Sequence, residues 1–203
     1  AFVAPGVLGG ERALEVLEDA VEAAQCLRDA RTEAVALGSL AIAHQRGGRP
    51  KEASARYEAA LVAAEKAGDA WTIATTRLNL AGLAKGDGDI ARALAHLEGA
   101  LDMGRRAGGL MAVQQVLFNL ANLDLYLGRD ARAAASIERL AAQHAELSPN
   151  ARAQLLGLQG ELATRMGDVD RGARLYHACA EAYDAVARPL DAAEARLEAI
   201  LTR

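Results

Sequence analysis

The stretch Gly48–Leu61 reads GRPKEASARYEAAL and Gly88–Leu101 reads GDIARALAHLEGAL, and the two align without a gap at an offset of 40 residues. Ala13, Ala53, Ala93 and Ala133 keep the same spacing. A fixed period between about 20 and 50 residues marks a repeat array, in which each unit buries its apolar face only against its neighbours. Within one unit, apolar positions recur three and four residues apart, through Leu37, Leu40 and Ala41 before Gly48, then through Ala53, Tyr57, Ala60 and Leu61 after it. That spacing describes two amphipathic helices joined by a tight turn.

The breaks in the pattern are as periodic as the pattern. Gly48, Gly88, Gly128 and Gly167 stand at the turn inside each unit, where a helix C-terminus favours a residue that tolerates positive φ. A second set, Gly68-Asp69, Gly108-Gly109, Pro149-Asn150 and Pro189, separates the units. Asp69 and Asn150 are the expected N-caps. These stops predict ten helices, near 11–27, 30–46, 50–66, 69–85, 89–106, 110–126, 130–146, 150–165, 169–187 and 190–202. Small residues at Ala53, Ala93, Ala133 and Gly172 mark where paired helices cross closely, and Leu17, Tyr57, Leu97, Ile137 and Tyr176 follow one turn later.

Composition agrees. The chain is 52% hydrophobic but only 3% aromatic, so its apolar share is mainly alanine and leucine, both strong helix formers. The 203 residues are read as a segment 1–10 that is linker or disordered, followed by a single repeat domain over 11–203. The domain divides into a half repeat 11–28, repeats 29–68, 69–108, 109–148 and 149–188, and a half repeat 189–203. A net charge of −4 argues against a surface built to neutralise phosphates, so no nucleic-acid partner is expected. No apolar run reaches bilayer length, and no membrane partner is expected. Cys26 and Cys179, far apart in sequence, read as inert thiols in a reduced, cytoplasmic setting. Arginine outnumbers lysine 20 to 3, a compositional association with GC-rich bacterial genomes.

The pattern resembles the tetratricopeptide repeat (TPR) family, in a variant whose 40-residue period lengthens both helices. The resemblance covers 11–203 and is carried by Leu40-Ala41, Leu80-Ala81 and Leu120-Ala121 in first helices, the turn glycines, and the Ala53, Tyr57, Ala60, Leu61 series in second helices. It implies an all-α, right-handed α-solenoid of stacked antiparallel helix pairs, about ten helices in all. The fourth unit departs most, with Gln159-Gly160 in place of Leu-Ala and Gly172 in place of alanine, which predicts altered local packing on an unchanged fold.

Chemistry-bearing residues do not assemble into a catalytic or metal-binding pattern. His44, His96, His144 and His177 fall on four predicted helices, and His177 and Cys179 face different sides of theirs. His44 stands where the family pattern has an aromatic packing residue, which makes it an interface histidine. Gly47, Gly48, Arg49, Pro50 and Lys51 are similar to a phosphate loop but lack its Gly-Lys-Ser/Thr ending and join two helices. Ser39, Ser54, Ser136 and Ser148 have no nucleophile context. The chain reads as non-enzymatic, with no cofactor and no metal.

The resemblance implies that first helices line a concave groove that holds an extended peptide or partner helix. Its inward positions include Arg46, Lys85, Gln115, Phe118, Asn122, Tyr126, Gln154, Glu161, Thr164 and Arg165, with Asn79 and Asn119 at the edge. This lining reads as neutral to mildly basic, with amides to satisfy a peptide backbone and Phe118 and Tyr126 as apolar anchors. Asn79 and Asn119 have an alternative reading as stacking residues bonded to neighbouring helices. Leu78 and Phe118 occupy the position that carries a lysine in relatives that clamp a terminal carboxylate, which counts against such a ligand. The expected function is protein–protein interaction through the groove. The alternatives are a regulatory or sensor segment of a larger bacterial signalling protein, in contact with an ATPase, kinase or DNA-binding domain, and a scaffold that self-associates end to end. For the last, Leu14, Leu17 and Val21 at one end and Leu197, Ile200 and Leu201 at the other are expected to be partly buried, any apolar surplus favouring association.

Overall fold

The computed structural model describes residues 5–202, with side chains from residue 12 onward. The described residues form ten α-helices: α1 Pro5–Cys26, α2 Ala30–Arg46, α3 Pro50–Ala67, α4 Ala70–Gly86, α5 Ile90–Arg106, α6 Leu110–Tyr126, α7 Asp130–Ala142, α8 Pro149–Arg165, α9 Val169–Ala185 and α10 Pro189–Leu201. Helix α1 begins at Pro5, within the segment 1–10 expected to be linker or disordered; residues 1–4 lie outside the described residues. Packing concentrates in two compact units, one extending to Val113 and one beginning at Gln114, with the division inside α6.

The helices start where side chains can satisfy their first N–H groups. Asp29 accepts from the backbone N–H of Arg31 and Thr32, Asp69 from Thr72, Asp89 from Arg92 and Asp168 from Arg171. Pro50, Pro149 and Pro189 each open a helix, where a missing N–H costs nothing. The cap of α8 is Ser148 and not Asn150: Ser148 Oγ accepts from Ala151 N at 3.2 Å. Asn150 lies one position inside the helix and accepts from Arg188 Nη1 at 2.8 Å. The helices end as the turn glycines require, with positive φ at Gly48, Gly88, Gly128 and Gly167 and also at Gly68 and Gly108. Arg28 and Ala187 hold the same left-handed conformation without being glycine, at φ of 54° and 57°.

In the unit up to Val113, α1 to α5 pack in consecutive pairs. Its core joins Leu37, Leu40, Tyr57, Leu61, Ile73 and Leu80, with Leu14, Leu17 and Met103 packed against it. The small residues Ala53 and Ala93 are fully enclosed, as a close helix crossing demands. His44 is 7% exposed and neither ring nitrogen has a hydrogen-bond partner among the described residues. Burial pushes its pKa down, and Arg49 and Arg56 add to this against Glu52 and Glu18.

In the unit from Gln114, α7 packs on α8, α8 on α9 and α9 on α10. Helix α7 stops at Ala142, short of the expected 146, and a 3₁₀ turn follows over His144–Glu146. Leu147 and Ser148 are extended ahead of Pro149, which disfavours helical backbone before it. Leu147 is buried, and the Arg152 guanidinium donates to the His144 and Ala145 carbonyls, each at 3.1 Å. The irregular pair α8–α9 has a steric logic. A Cβ at Gly160 would sit 3.2 Å from the Tyr176 ring, so the ring packs directly on the glycine backbone. A Cβ at Gly172 would lie 2.3 Å from Thr164 Oγ1, whose hydroxyl donates to the Gly160 carbonyl at 3.0 Å.

Candidate functional site

Three first helices of the second unit, α6, α8 and α10, present side chains to one cavity of about 700 Å³, and α9 supplies part of its wall. From α6 come Gln115, Phe118, Asn119 and Asn122; from α8 come Gln154, Gly157, Leu158, Glu161, Thr164 and Arg165. Helix α9 contributes Tyr176, Cys179 and Tyr183, and α10 contributes Asp191, Glu194, Ala195 and Glu198, with Thr202 just beyond its end. The space owes much to Gly157. It occupies the repeat position of Phe118 in the preceding unit, and a Cβ there would meet only Cys179 Sγ, at 3.4 Å.

The α6 amides are partly tied to their own helix. Asn119 Nδ2 donates to the Gln115 carbonyl at 2.8 Å and Asn122 Nδ2 to the Phe118 carbonyl at 2.9 Å. Each retains a second N–H and a side-chain carbonyl oxygen with which to bond a ligand backbone. Phe118 is buried and forms wall, not a protruding anchor. Cys179 is buried as well, its thiol donating to the Ala153 carbonyl at 3.2 Å, and burial pushes its pKa up to about 11. A thiol held protonated in this way is a packing group, not a nucleophile.

The charge of the lining differs from the neutral to mildly basic surface expected. Glu161, Asp191, Glu194 and Glu198 line the cavity, with Arg165 as the one cation among the described residues of its wall. Arg165 Nε is already paired with Asp130 Oδ1 at 2.6 Å. Desolvation raises the pKa of the half-buried Glu161, Arg165 opposes this, and Glu198 and Asp130 push it further up. The Tyr176 hydroxyl is raised by burial first and then by Glu161 and Glu198, which places both carboxylates in its field.

Eight of the twelve residues expected in the groove or at its edge, Gln115, Phe118, Asn119, Asn122, Gln154, Glu161, Thr164 and Arg165, therefore meet at one cavity. Tyr126 does not join them; it ends α6 and is 78% exposed. Arg46, Asn79 and Lys85 belong to the other unit, on α2 and α4. Arg46 and Lys85 are exposed in the last turns of their helices, where a cation stabilises the C-terminal dipole whether or not a ligand is bound. The α10 carboxylates were not foreseen, although the period carries them: Gln115, Gln154 and Glu194 share one repeat position, and Asn119, Leu158 and Glu198 another.

No protein-family model and no curated protein matches the sequence. Solved structures do. The chain is similar to BtubC (BKLC) from P. vanneervenii, with a TM-score of 0.79 and 24% identity over 88% of this chain and 74% of that one. It is also similar to a point variant of nearly identical TPR-like repeats from Podosopora anserina, with a TM-score of 0.69 and 18% identity over 88% of this chain and 89% of that one. A third is a Rap protein complexed with competence and sporulation factor, with a TM-score of 0.65 and 14% identity over 96% of this chain and 58% of that one. With these likenesses and its consecutive antiparallel helix pairs, the chain has a TPR-type repeat fold.

Proposed function

We propose that the cavity between α6, α8 and α10 docks an extended peptide segment of a protein partner, and that the chain acts through this contact and not through catalysis. The observation that carries the reading is the convergence of Gln115, Asn119, Asn122 and Gln154 on one open volume with a wall of Phe118 and Tyr176. Amides match the alternating donors and acceptors of an extended backbone, and the aromatic wall accepts an apolar side chain. A volume of about 700 Å³ lies within the usual range for ligand sites. The similar Rap protein is held in a complex with a factor, which supports a bound partner on this kind of fold. The continuity of 11–203 as one repeat domain is part of the same proposal and rests on a period of 40 residues that slips by one residue at the fourth unit, between Gly128 and Gly167.

The test is selection of a random decapeptide phage library on the immobilised chain, with every selected peptide re-measured on an Asn119→Ala/Asn122→Ala variant that keeps its helicity. Selected peptides should bind the variant at least about tenfold more weakly, a loss of about 1.4 kcal/mol. Equal binding to both proteins would remove the cavity from the function.

One further observation favours a second reading. Leu190, Leu197, Ile200 and Leu201 on α10 are 84%, 54%, 67% and 69% exposed, where partial burial of the last three was expected. At the other end Val21 is buried and Leu14 and Leu17 are packed against the core. The α10 row is therefore the apolar surplus that end-to-end association would cover. Light scattering over a concentration series, with Leu197→Lys/Leu201→Lys as control, tests it; a mass that stays monomeric throughout would reject it.

A further inference from the structure

We infer that the occupant of this cavity is cationic, an extended peptide segment that presents an arginine, or less favourably a lysine, to Glu161, Glu194 and Glu198. The inference rests on the peptide-docking reading of the same cavity and adds the chemistry that selects among peptides.

The charges nearby are unequal in number and unequal in availability. Asp191 is satisfied by Arg188, whose Nε lies 2.8 Å from its Oδ2 and whose Nη2 donates to its Oδ1 at 2.9 Å. Arg165 is engaged through Nε by Asp130. Among the described residues Glu194 and Glu198 have no ion-pair partner, and Glu161 has only the Arg165 field to offset its burial. Three carboxylates from two helices thus share one concave volume whose one lining cation, Arg165, is paired with Asp130. Partial burial disfavours the charged form of Glu161 and the Glu198 carboxylate adds repulsion, so the attraction of a cation entering between them offsets that cost.

The wall specifies the form of that cation. Tyr176 and Tyr183 line the same space, and the Tyr183 ring already receives the Arg188 guanidinium at 5.6 Å from its centroid. A planar guanidinium can stack on such a face while its N–H fork reaches a carboxylate, whereas an ammonium offers only a point charge. An acidic segment would meet three carboxylates and one arginine that is already engaged. The amides of α6 and α8 are indifferent to side-chain charge, so selection falls to the α8 and α10 carboxylates.

The experiment uses the random decapeptide library on the whole chain, on Glu194→Gln/Glu198→Gln and on Gly157→Leu, with circular dichroism and melting to confirm that all three are folded. The glutamines keep size and exposure while removing charge, and Gly157→Leu fills the cavity without touching the carboxylates. The expected result is enrichment of arginine over lysine, and of both over acidic residues. Selected peptides should lose about tenfold in affinity on Glu194→Gln/Glu198→Gln, weaken as salt is raised, and lose binding on Gly157→Leu. Peptides that need the open cavity but are neutral or acidic, and bind the glutamine variant equally, would overturn the cationic occupant and leave peptide docking standing. Peptides indifferent to Gly157→Leu, or none at all, would overturn both.

Discussion

At the scale of single residues, the clearest strain lies where the repeat lost its glycine. Ala187 ends α9 at a φ of 57°, the conformation that Gly68 and Gly108 supply at equivalent turns. A side chain in that region costs about 1–2 kcal/mol, and glycine returns about 0.5–1 kcal/mol of this as extra freedom in the unfolded chain. Ala187→Gly should therefore stabilise the protein by about 0.5–1 kcal/mol, read as a higher urea midpoint at unchanged slope. A lower midpoint would mean that the alanine methyl makes contacts worth more than its strain.

His44 makes a second residue-scale prediction, through pH. Its folded pKa lies below the ordinary 6.5 because burial penalises the charged ring. The unfolded chain therefore takes up the proton first as pH falls, and native stability declines as pH drops through about 6.5 and below. His96 is lowered in the same sense, also mainly by burial, and contributes to the same decline. Denaturation midpoints of His44→Phe, measured from pH 7.5 to 5, should fall less steeply than those of the native sequence. Equal slopes would show that His44 exchanges its proton freely in the folded state.

At the scale of elements, capping decides α8. Ser148 holds the Ala151 N–H, and removing such a cap costs about 0.5–2 kcal/mol. Ser148→Ala should cost about 1 kcal/mol, whereas Asn150→Ala, which loses only its exposed contact with Arg188, should stay within about 0.5 kcal/mol. Matched urea titrations separate the two; equal costs would return the cap to Asn150. Asn150 follows the helix-opening Pro149 and carries a good capping side chain, but proline belongs at the first helical position, so the cap must precede it. The same proline keeps Ser148 extended, but the earlier end of α7 at Ala142 was not legible in periodicity, since 143–146 read QHAE, compatible with helix or turn. Elsewhere, from α2 to α6, apolar spacing and turn glycines were enough to locate the helices, because both follow directly from the geometry of a helix pair.

At the scale of the whole molecule, legibility falls from fold to site. The period identified which helices carry the candidate surface, and so brought Gln115, Asn122 and Gln154 to one cavity. It did not give the sign of that surface, because charge depends on pairing across helices: Arg165 reads as a free cation in sequence, yet Asp130, 35 positions away, engages it. A repeat array also predicts how such local differences affect stability, since each unit contributes its own term and an interface with its neighbours. Gly172→Ala would force a methyl against Thr164 and the Gly160 carbonyl, an overpacking that costs about 1–3 kcal/mol in the second unit. Trp71, the chain's single tryptophan, lies in the first unit with its ring over Gly109. Far-ultraviolet ellipticity reports every helix, whereas tryptophan fluorescence reports the surroundings of Trp71. In urea, Gly172→Ala should lower the ellipticity midpoint more than the fluorescence midpoint, so that two transitions coincident in the native sequence separate in the variant. Equal shifts would mean that the array melts as a single cooperative block, with strain between α8 and α9 felt in full at α4.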